Sequence, residues 1–505
     1  MSTTIDASGA TQVTAIDTAG IGGHPRGLTT LFFTEMWERF SYYGMRAILF
    51  LYMTKTLAEG GLAFDEKYAG LIFGTYASSV YWTPLIGGWL ADKVFGARRA
   101  VLIGGIIIAC GHFSMAFHTM ANFYGGLALI AIGTGLLKPN ISAMVGDLYT
   151  EGDARRDAGF SIFYMGINLG ALIAPIVCGY LGQRIDWHYG FAAAGVGMVL
   201  GLLQYIFSGD RLKGIGEKPL KKGEADIAQV KQVDQEIEHL DLLTITLAII
   251  GGIIGFFAGM YIGGEGLISG LFPGVVGLFS GYILGTFRQL NGDEAKRVGV
   301  IFILFIFSVL FWMSFEQAAT SLTLFADRLT RNSIFGWEFP SSWFQSVQPT
   351  FVILLAPVFA GLWLKLGRRQ PSSPGKFAYG LFFAGLAFAI VTLASTLTGA
   401  GRVHPLWLVM VYLLQTIGEL CLSPVGLSTV TKLSPARMVG LMMGVWFLSL
   451  SIGNFIAGQL GGRFNEKAEG ALLHLFGTVA IISIVAAIIL ALLTPLIKRL
   501  TPRSN

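Results

Sequence analysis

Charge is scarce in this chain. Of its 505 residues only 13% are Asp, Glu, Lys or Arg, while 53% are hydrophobic; a soluble domain of ordinary composition carries about 25% charged residues. That shortage excludes a water-soluble fold of this length, whose helices would need polar faces for solvent. Cysteine is almost missing too. Cys110, Cys178 and Cys421 are the three present; they lie far apart in apolar stretches and fit neither a disulfide framework nor a thiolate metal motif. Histidines are few, seven in all; His112, His118, His188, His404 and His474 are scattered along the chain, and no metal site is expected from them. There is no His-Glu-x-x-His and no phosphate-cradling Gly-x-x-x-x-Gly-Lys-Ser/Thr, and Gly133-x-Gly135 reads as helix packing, so an enzyme is not expected. A cleavable signal peptide is also missing, since residues 1–27 are polar and have no apolar centre. They read as a disordered cytoplasmic tail.

What the chain has instead is long apolar runs. Residues 100–117, 242–287, 298–315, 377–397 and 471–497 are apolar almost throughout, each at or above the roughly 18–20 residues a helix needs to cross hydrocarbon. The 67 glycines agree, because small residues let membrane helices pack closely. Apolar runs and breakers place about fourteen spans at 28–57, 66–93, 98–119, 122–148, 157–182, 189–208, 241–262, 267–288, 297–329, 341–367, 375–398, 404–433, 438–461 and 470–498. The predicted organisation is a six-helix bundle over 28–209, a polar cytoplasmic linker over 210–240, an extra helix pair over 241–290, a second six-helix bundle over 291–499 and a short tail at 500–505. Gly166-xxx-Gly170, Gly251-xxx-Gly255 and Gly440-xxx-Gly444 are expected to be close helix contacts, and Pro139, Pro357 and Pro424 to bend their helices.

An even number of spans puts both termini on one side. Of the 35 Lys and Arg residues, 24 fall in the tails and the loops on the termini's side, 8 in the opposite loops and 3 within spans. By the positive-inside rule both termini and the linker are cytoplasmic. The same asymmetry accounts for the net charge of +5 without a nucleic-acid partner. Pro84–Arg99 and Pro357–Arg369 share Pro, small residues, Trp-Leu, then Gly and two arginines, a weak repeat of the kind seen in transporters built from related halves.

The informative residues are the charges inside the spans. Each costs roughly 2.5–3.5 kcal/mol at the bilayer centre on insertion scales, so it faces protein or a watery cavity. At about 100° per residue, Glu35, Glu38, Arg39, Tyr42 and Arg46 share one polar stripe of the first helix within an arc of roughly 100°, while Phe32, Phe33, Met36, Phe40 and Ile48 largely occupy other directions. Two acids and two bases on one stripe can exchange partners, because a carboxylate beside arginine stays ionised whereas a desolvated one takes up a proton. Lys138, Glu316 and Glu419 lie within other spans. Separate acidic and basic groups suit a zwitterionic solute, and Tyr42, Tyr43, Tyr76, Tyr81, Trp312 and Trp446 are candidates to line its path.

The stripe Glu35-x-x-Glu38-Arg39-Phe40-x-Tyr42-Tyr43-Gly44 resembles the signature of the proton-dependent oligopeptide transporters, a branch of the major facilitator superfamily. Three further segments resemble that family in order: Gly87-Gly88-Trp89-Leu90-Ala91-Asp92-Lys93 through Gly96, Phe163-Tyr164-Met165-Gly166-Ile167-Asn168-Leu169-Gly170, and Ser341 to Ser346 with Ala356-Pro357. The similarity runs from about residue 28 to 498, and 241–288 resembles the extra helix pair of bacterial members.

The resemblance implies an all-α membrane protein of two six-helix bundles plus two helices. It implies proton-coupled import of di- and tripeptides across a bacterial cytoplasmic membrane, by a monomer with no cofactor beyond the coupling proton. It implies proton coupling by Glu35, Glu38, Arg39 and Glu316, with Glu316 pairing with Lys138 or Arg46. Arg39 and Lys138 would receive the peptide carboxylate, and Glu419 and Asn168 the amino group. Tyr42, Tyr43, Tyr76 and Trp446 would shape side-chain pockets. Gln348 stands where the family has an asparagine, which implies altered contacts at the amino end. Gly74 stands where animal members have a histidine, leaving the carboxylates as proton carriers. A transporter of the same fold for another small solute, such as an amino acid or nitrate, is the competing reading.

Overall fold

Apolar segments that enter hydrocarbon must pair every backbone N–H and C=O internally, and a helix does this within one segment. The computed structural model describes residues 2–5, 11–14, 17–150, 152–217, 241–288, 290–435 and 438–500. The linker expected at 210–240 falls outside these from residue 218 onward, as does the tail beyond Leu500. Two short antiparallel strands, Ser2–Ile5 and Thr11–Thr14, precede the first helix. The helices are α1 (Arg26–Thr54), α2 (Glu66–Leu90), α3 (Ala97–Met115), α4 (Met120–Asp147), α5 (Arg156–Arg184), α6 (Trp187–Phe207), α7 (Leu242–Gly263), α8 (Leu267–Phe287), α9 (Gly292–Phe315), α10 (Ser321–Arg328), α11 (Val347–Leu366), α12 (Ser373–Thr396), α13 (Leu406–Leu433), α14 (Val439–Gly461) and α15 (Ala471–Leu500).

Twelve of the segments are long and apolar enough to cross a membrane by length and composition. Helices α1 and α2 have the length, 29 and 25 residues, and fall short in apolarity because α1 carries the charged stripe and α2 carries Thr75, Ser78, Ser79 and Thr83. Together they make the fourteen expected. The span expected at 297–329 is broken: Glu316–Ala319 forms a 3-10 turn between α9 and α10. Thr320 leaves helical geometry there, and its hydroxyl donates to the Ala457 carbonyl at 3.1 Å. Pro139 and Pro357 lie inside α4 and α11; the side chain of Pro424 lies outside those described.

Packing divides the chain into two units, Met1–Ile48 with Thr83–Pro219, and Leu49–Trp82 with Leu220–Asn505. The first unit is cored by Leu31, Val101, Ile108, Leu137, Met144 and Met198. Within it α5 reaches the backbone of α1, since a Cβ on Gly170 would stand 2.3 Å from the Met36 carbonyl oxygen. The Gly166–Gly170 contact is thus present.

The second unit is cored by Val298, Leu304, Phe311, Phe377, Leu381, Met442 and Leu490. Its α7 and α8 touch backbone to backbone at Gly251 and Gly277, as the glycine spacing implied. The outer side of α7 leaves Ile249, Ile253, Phe257 and Tyr261 exposed, which suits lipid. The third glycine expectation is corrected at Gly440, where a Cβ would meet nothing within 4 Å. The close crossing on α14 lies further along. A Cβ on Gly70 of α2 would stand 2.3 Å from the Gly458 carbonyl oxygen, and Ser451 Oγ donates to the Ser78 carbonyl at 2.8 Å. Segment 49–82 is therefore grouped in space with the later helices.

Candidate functional site

In the first unit, α1 turns its stripe inward and buries Glu35, Glu38 and Arg39 at 2%, 0% and 3% exposure. Glu35 and Arg39 are one helical turn apart with the acid N-terminal, the favourable order for an i,i+4 pair, and Arg39 Nε lies 3.1 Å from Glu35 Oε1. The same Nε also donates to Glu38 Oε2. Two carboxylates thus share one guanidinium nitrogen. Among the described residues Glu35 Oε2, Glu38 Oε1 and Arg39 Nη2 are buried with no hydrogen-bond partner. Buried charged groups are normally saturated, so this cluster has binding capacity in hand.

The Arg39 guanidinium sits 5.3 Å from the centre of the Tyr42 ring, and Tyr42 meets Tyr43 edge to face at 5.2 Å. Lys138, on α4, acts electrostatically on Glu35. It sits on a helix in tight contact with α2, where Thr83 Oγ1 donates to the Ala131 carbonyl at 3.0 Å and Asn140 Nδ2 to the Gly87 carbonyl at 3.5 Å. Arg46, on the same stripe, is buried. Asn168 is buried on α5, with Nδ2 donating to the Tyr164 carbonyl of its own helix at 2.9 Å.

In the second unit, Gln348 Nε2 of α11 donates to Glu419 Oε2 of α13 at 2.6 Å. Gln348 is the residue that departs from the family's asparagine, and its longer arm reaches the acid directly. Glu316, at the end of α9, is buried and acts electrostatically on Glu419, so the unit gathers two acids and an amide. Trp446 is buried against Phe377, ring centres 5.9 Å apart, and Tyr76 of α2 is buried in the same unit. Gly74 has no room for the imidazole of animal relatives, since even a Cβ would stand 2.8 Å from the Phe455 carbonyl oxygen.

Two groupings escaped the sequence reading. The first is a charged clasp in the second unit. Arg328 Nη1 lies 2.9 Å from Glu66 and 3.0 Å from Glu466, and Lys55 Nζ lies 2.9 Å from Asp327 and 3.2 Å from Glu59. Arg328, Glu66, Glu466, Lys55 and Glu59 line a cleft of about 730 Å³. Burial pulls the Lys55 ammonium down, but Asp327 and Glu59 hold it above the ordinary lysine value. Sequence separation hid these partners: Arg328 is 262 residues from Glu66.

The second grouping corrects the reading of the histidines as scattered. His118, in the α3–α4 turn, and His188, in the first turn of α6, have ring centres 3.7 Å apart. Asp186 caps α6 by accepting from the His188 N–H at 2.8 Å, and its Oδ1 lies 2.9 Å from His188 Nδ1. Burial pushes the Asp186 carboxyl up, but the His188 bonds and the neighbouring imidazoles hold it below the usual carboxylate range.

Comparison with known proteins follows the same lines. The family model described as the POT family matches residues 98–230 and 279–475. The chain is 41% identical over 497 residues to the peptide transporter YePEPT of Yersinia enterocolitica, covering 95% of each. It is 38% identical over 494 residues to a di-/tripeptide transporter of Lactococcus lactis, covering 94% of this chain and 96% of that one. A mutant of peptide transporter POT, solved in complex with alafosfalin, superposes with a TM-score of 0.81 at 43% identity, covering 96% of this chain and 98% of that one. With an all-α membrane fold, four ordered sequence motifs and relatives matched along nearly their whole length, the chain belongs to the POT family of transporters.

Proposed function

We propose that this protein is a proton-coupled symporter that imports di- and tripeptides across the bacterial cytoplasmic membrane by alternating access. It does so as a monomer, with both termini in the cytoplasm and without enzymatic activity or a cofactor. The observation that carries the reading is Arg39 shared between Glu35 and Glu38, with buried atoms of all three unpartnered.

Charge counting gives the coupling. Two glutamates and one arginine sum to one negative charge, which Lys138 balances. A proton taken onto Glu35 or Glu38 removes one claim on Arg39 and leaves the group one charge positive. A peptide carboxylate is what such a group attracts, and Arg39 Nη2 with Lys138 receives it. The peptide ammonium is the group proposed for Glu419, held by Gln348, and for Asn168, and Glu316 is the acid proposed to pair with Lys138 or Arg46. Tyr42, Tyr43, Tyr76 and Trp446 shape the side-chain pockets. Release of the proton to the cytoplasm restores both glutamates to Arg39 and expels the carboxylate. The names of the relatives, two of them peptide transporters by title, support the substrate class.

The test is uptake of dialanine into liposomes containing the purified protein, with and without an imposed inward proton gradient, and with nitrate and free alanine in parallel. Concentrative uptake of dialanine that needs the gradient is expected. Uptake of nitrate or alanine alone would overturn the reading.

A further inference from the structure

We infer that His118, His188 and Asp186 form a site for a divalent transition-metal ion, separate from the transport residues. One ligand atom from each residue lies within 4.8 Å of the other two. The three come from two turns of the first unit, α3–α4 and α5–α6, which the sequence separates by some seventy residues.

The cap on α6 explains why Asp186 meets the His188 N–H, but it calls for no second imidazole. His118 is exposed on its turn, and one side of its ring lies against His188. The His188 nitrogen nearest the carboxylate is Nδ1, 2.9 Å from Asp186 Oδ1; with the ring proton on Nε2, the Nδ1 lone pair and the carboxylate face the same point, where one ion would take both. The donor set of two nitrogens and one carboxylate suits Zn²⁺, Co²⁺ or Ni²⁺ over Ca²⁺ or Mg²⁺, and leaves a position for water. Metal bonds of about 2.0–2.2 Å would bring the ligand atoms closer than they stand now. The exposed His118 side chain supplies that movement by rotating about its own bonds, and its exposure is the ion's way in.

The site would tie the α3–α4 hairpin to the α5–α6 hairpin, so bound metal should raise thermal stability without contacting peptide. The experiment is titration of the full-length, tag-free protein in detergent with Co²⁺, followed by visible absorption, with Zn²⁺ added to displace it. One Co²⁺ per chain is expected, with a melting temperature that rises on binding. His118→Ala should weaken Co²⁺ binding by at least about tenfold, since loss of even an outer-shell partner costs about 10–100-fold. In EDTA its melting temperature and dialanine binding should match the natural chain, which separates loss of the site from loss of the fold. His118→Cys should restore binding and add a thiolate-to-cobalt band. No Co²⁺ uptake by the natural chain, or equal uptake by His118→Ala, overturns the site.

Discussion

Arg39 Nε stands 3.1 Å from Glu35 Oε1 while also serving Glu38, so one nitrogen balances two acids that cannot both hold it equally. Replacing either acid by Gln leaves a single permanent ion pair and removes the competition that a proton would resolve. Glu35→Gln and Glu38→Gln are each expected to abolish gradient-driven accumulation of dialanine while leaving counterflow exchange measurable. Accumulation by both variants against a gradient would show that the coupling groups lie elsewhere.

The bond from Gln348 to Glu419, at 2.6 Å, sets the expected cost of losing the amino-end anchor. Hydrogen bonds to charged groups contribute about 1.5–3 kcal/mol, or roughly 10- to 150-fold in affinity. Glu419→Ala should weaken dialanine binding within that range, measured by calorimetry. Gln348→Ala should have a smaller effect, because the acid itself remains. Unchanged affinity in Glu419→Ala would remove it from the site.

Helix α2 meets α14 through backbone, which cannot step aside. A Cβ at Gly70 would stand 2.3 Å from the Gly458 carbonyl oxygen, so Gly70→Ala should cost about 1–3 kcal/mol, as overpacking does. Gly440→Ala is the control: nothing lies within 4 Å of its Cβ, and alanine is favoured over glycine in a helix by about 0.8–1.0 kcal/mol. Thermal unfolding in one detergent should lower the first variant's melting point and leave the second's equal or higher.

The Arg328 clasp is partly exposed, and such pairs contribute about 0–1 kcal/mol each. Arg328→Gln should therefore destabilise only modestly, and a double-mutant cycle with Glu66→Gln should reveal a coupling within that range. The Lys55 arm adds a pH expectation. Its folded value is raised, so its contribution is complete below the ordinary lysine value of about 10.4 and fades only as the pH climbs past it through the folded value. Lys55 should not contribute to any pH dependence of transport between pH 5 and 8; if Lys55→Gln altered that dependence, the assignment would be wrong.

The sequence by itself determined the class of molecule and most of its local order. Apolar run length decides which segments enter hydrocarbon, because an unpaired backbone cannot survive there, and fourteen spans followed. The angular position of Glu35, Glu38, Arg39 and Tyr42 on α1 followed from helical periodicity alone, and the glycines facing α1 and α8 from their spacing. What the tertiary structure decided is every relationship between residues far apart in the chain. The sequence showed that Gln348 replaces an asparagine, but only packing of α11 on α13 puts its amide on Glu419. Periodicity placed a glycine pair at Gly440, whereas the contact on α14 falls at Gly458, since which face of a helix meets a neighbour depends on that neighbour. His118 and His188 looked scattered because distance along a chain carries no record of which turns are brought side by side when the helices between them fold back.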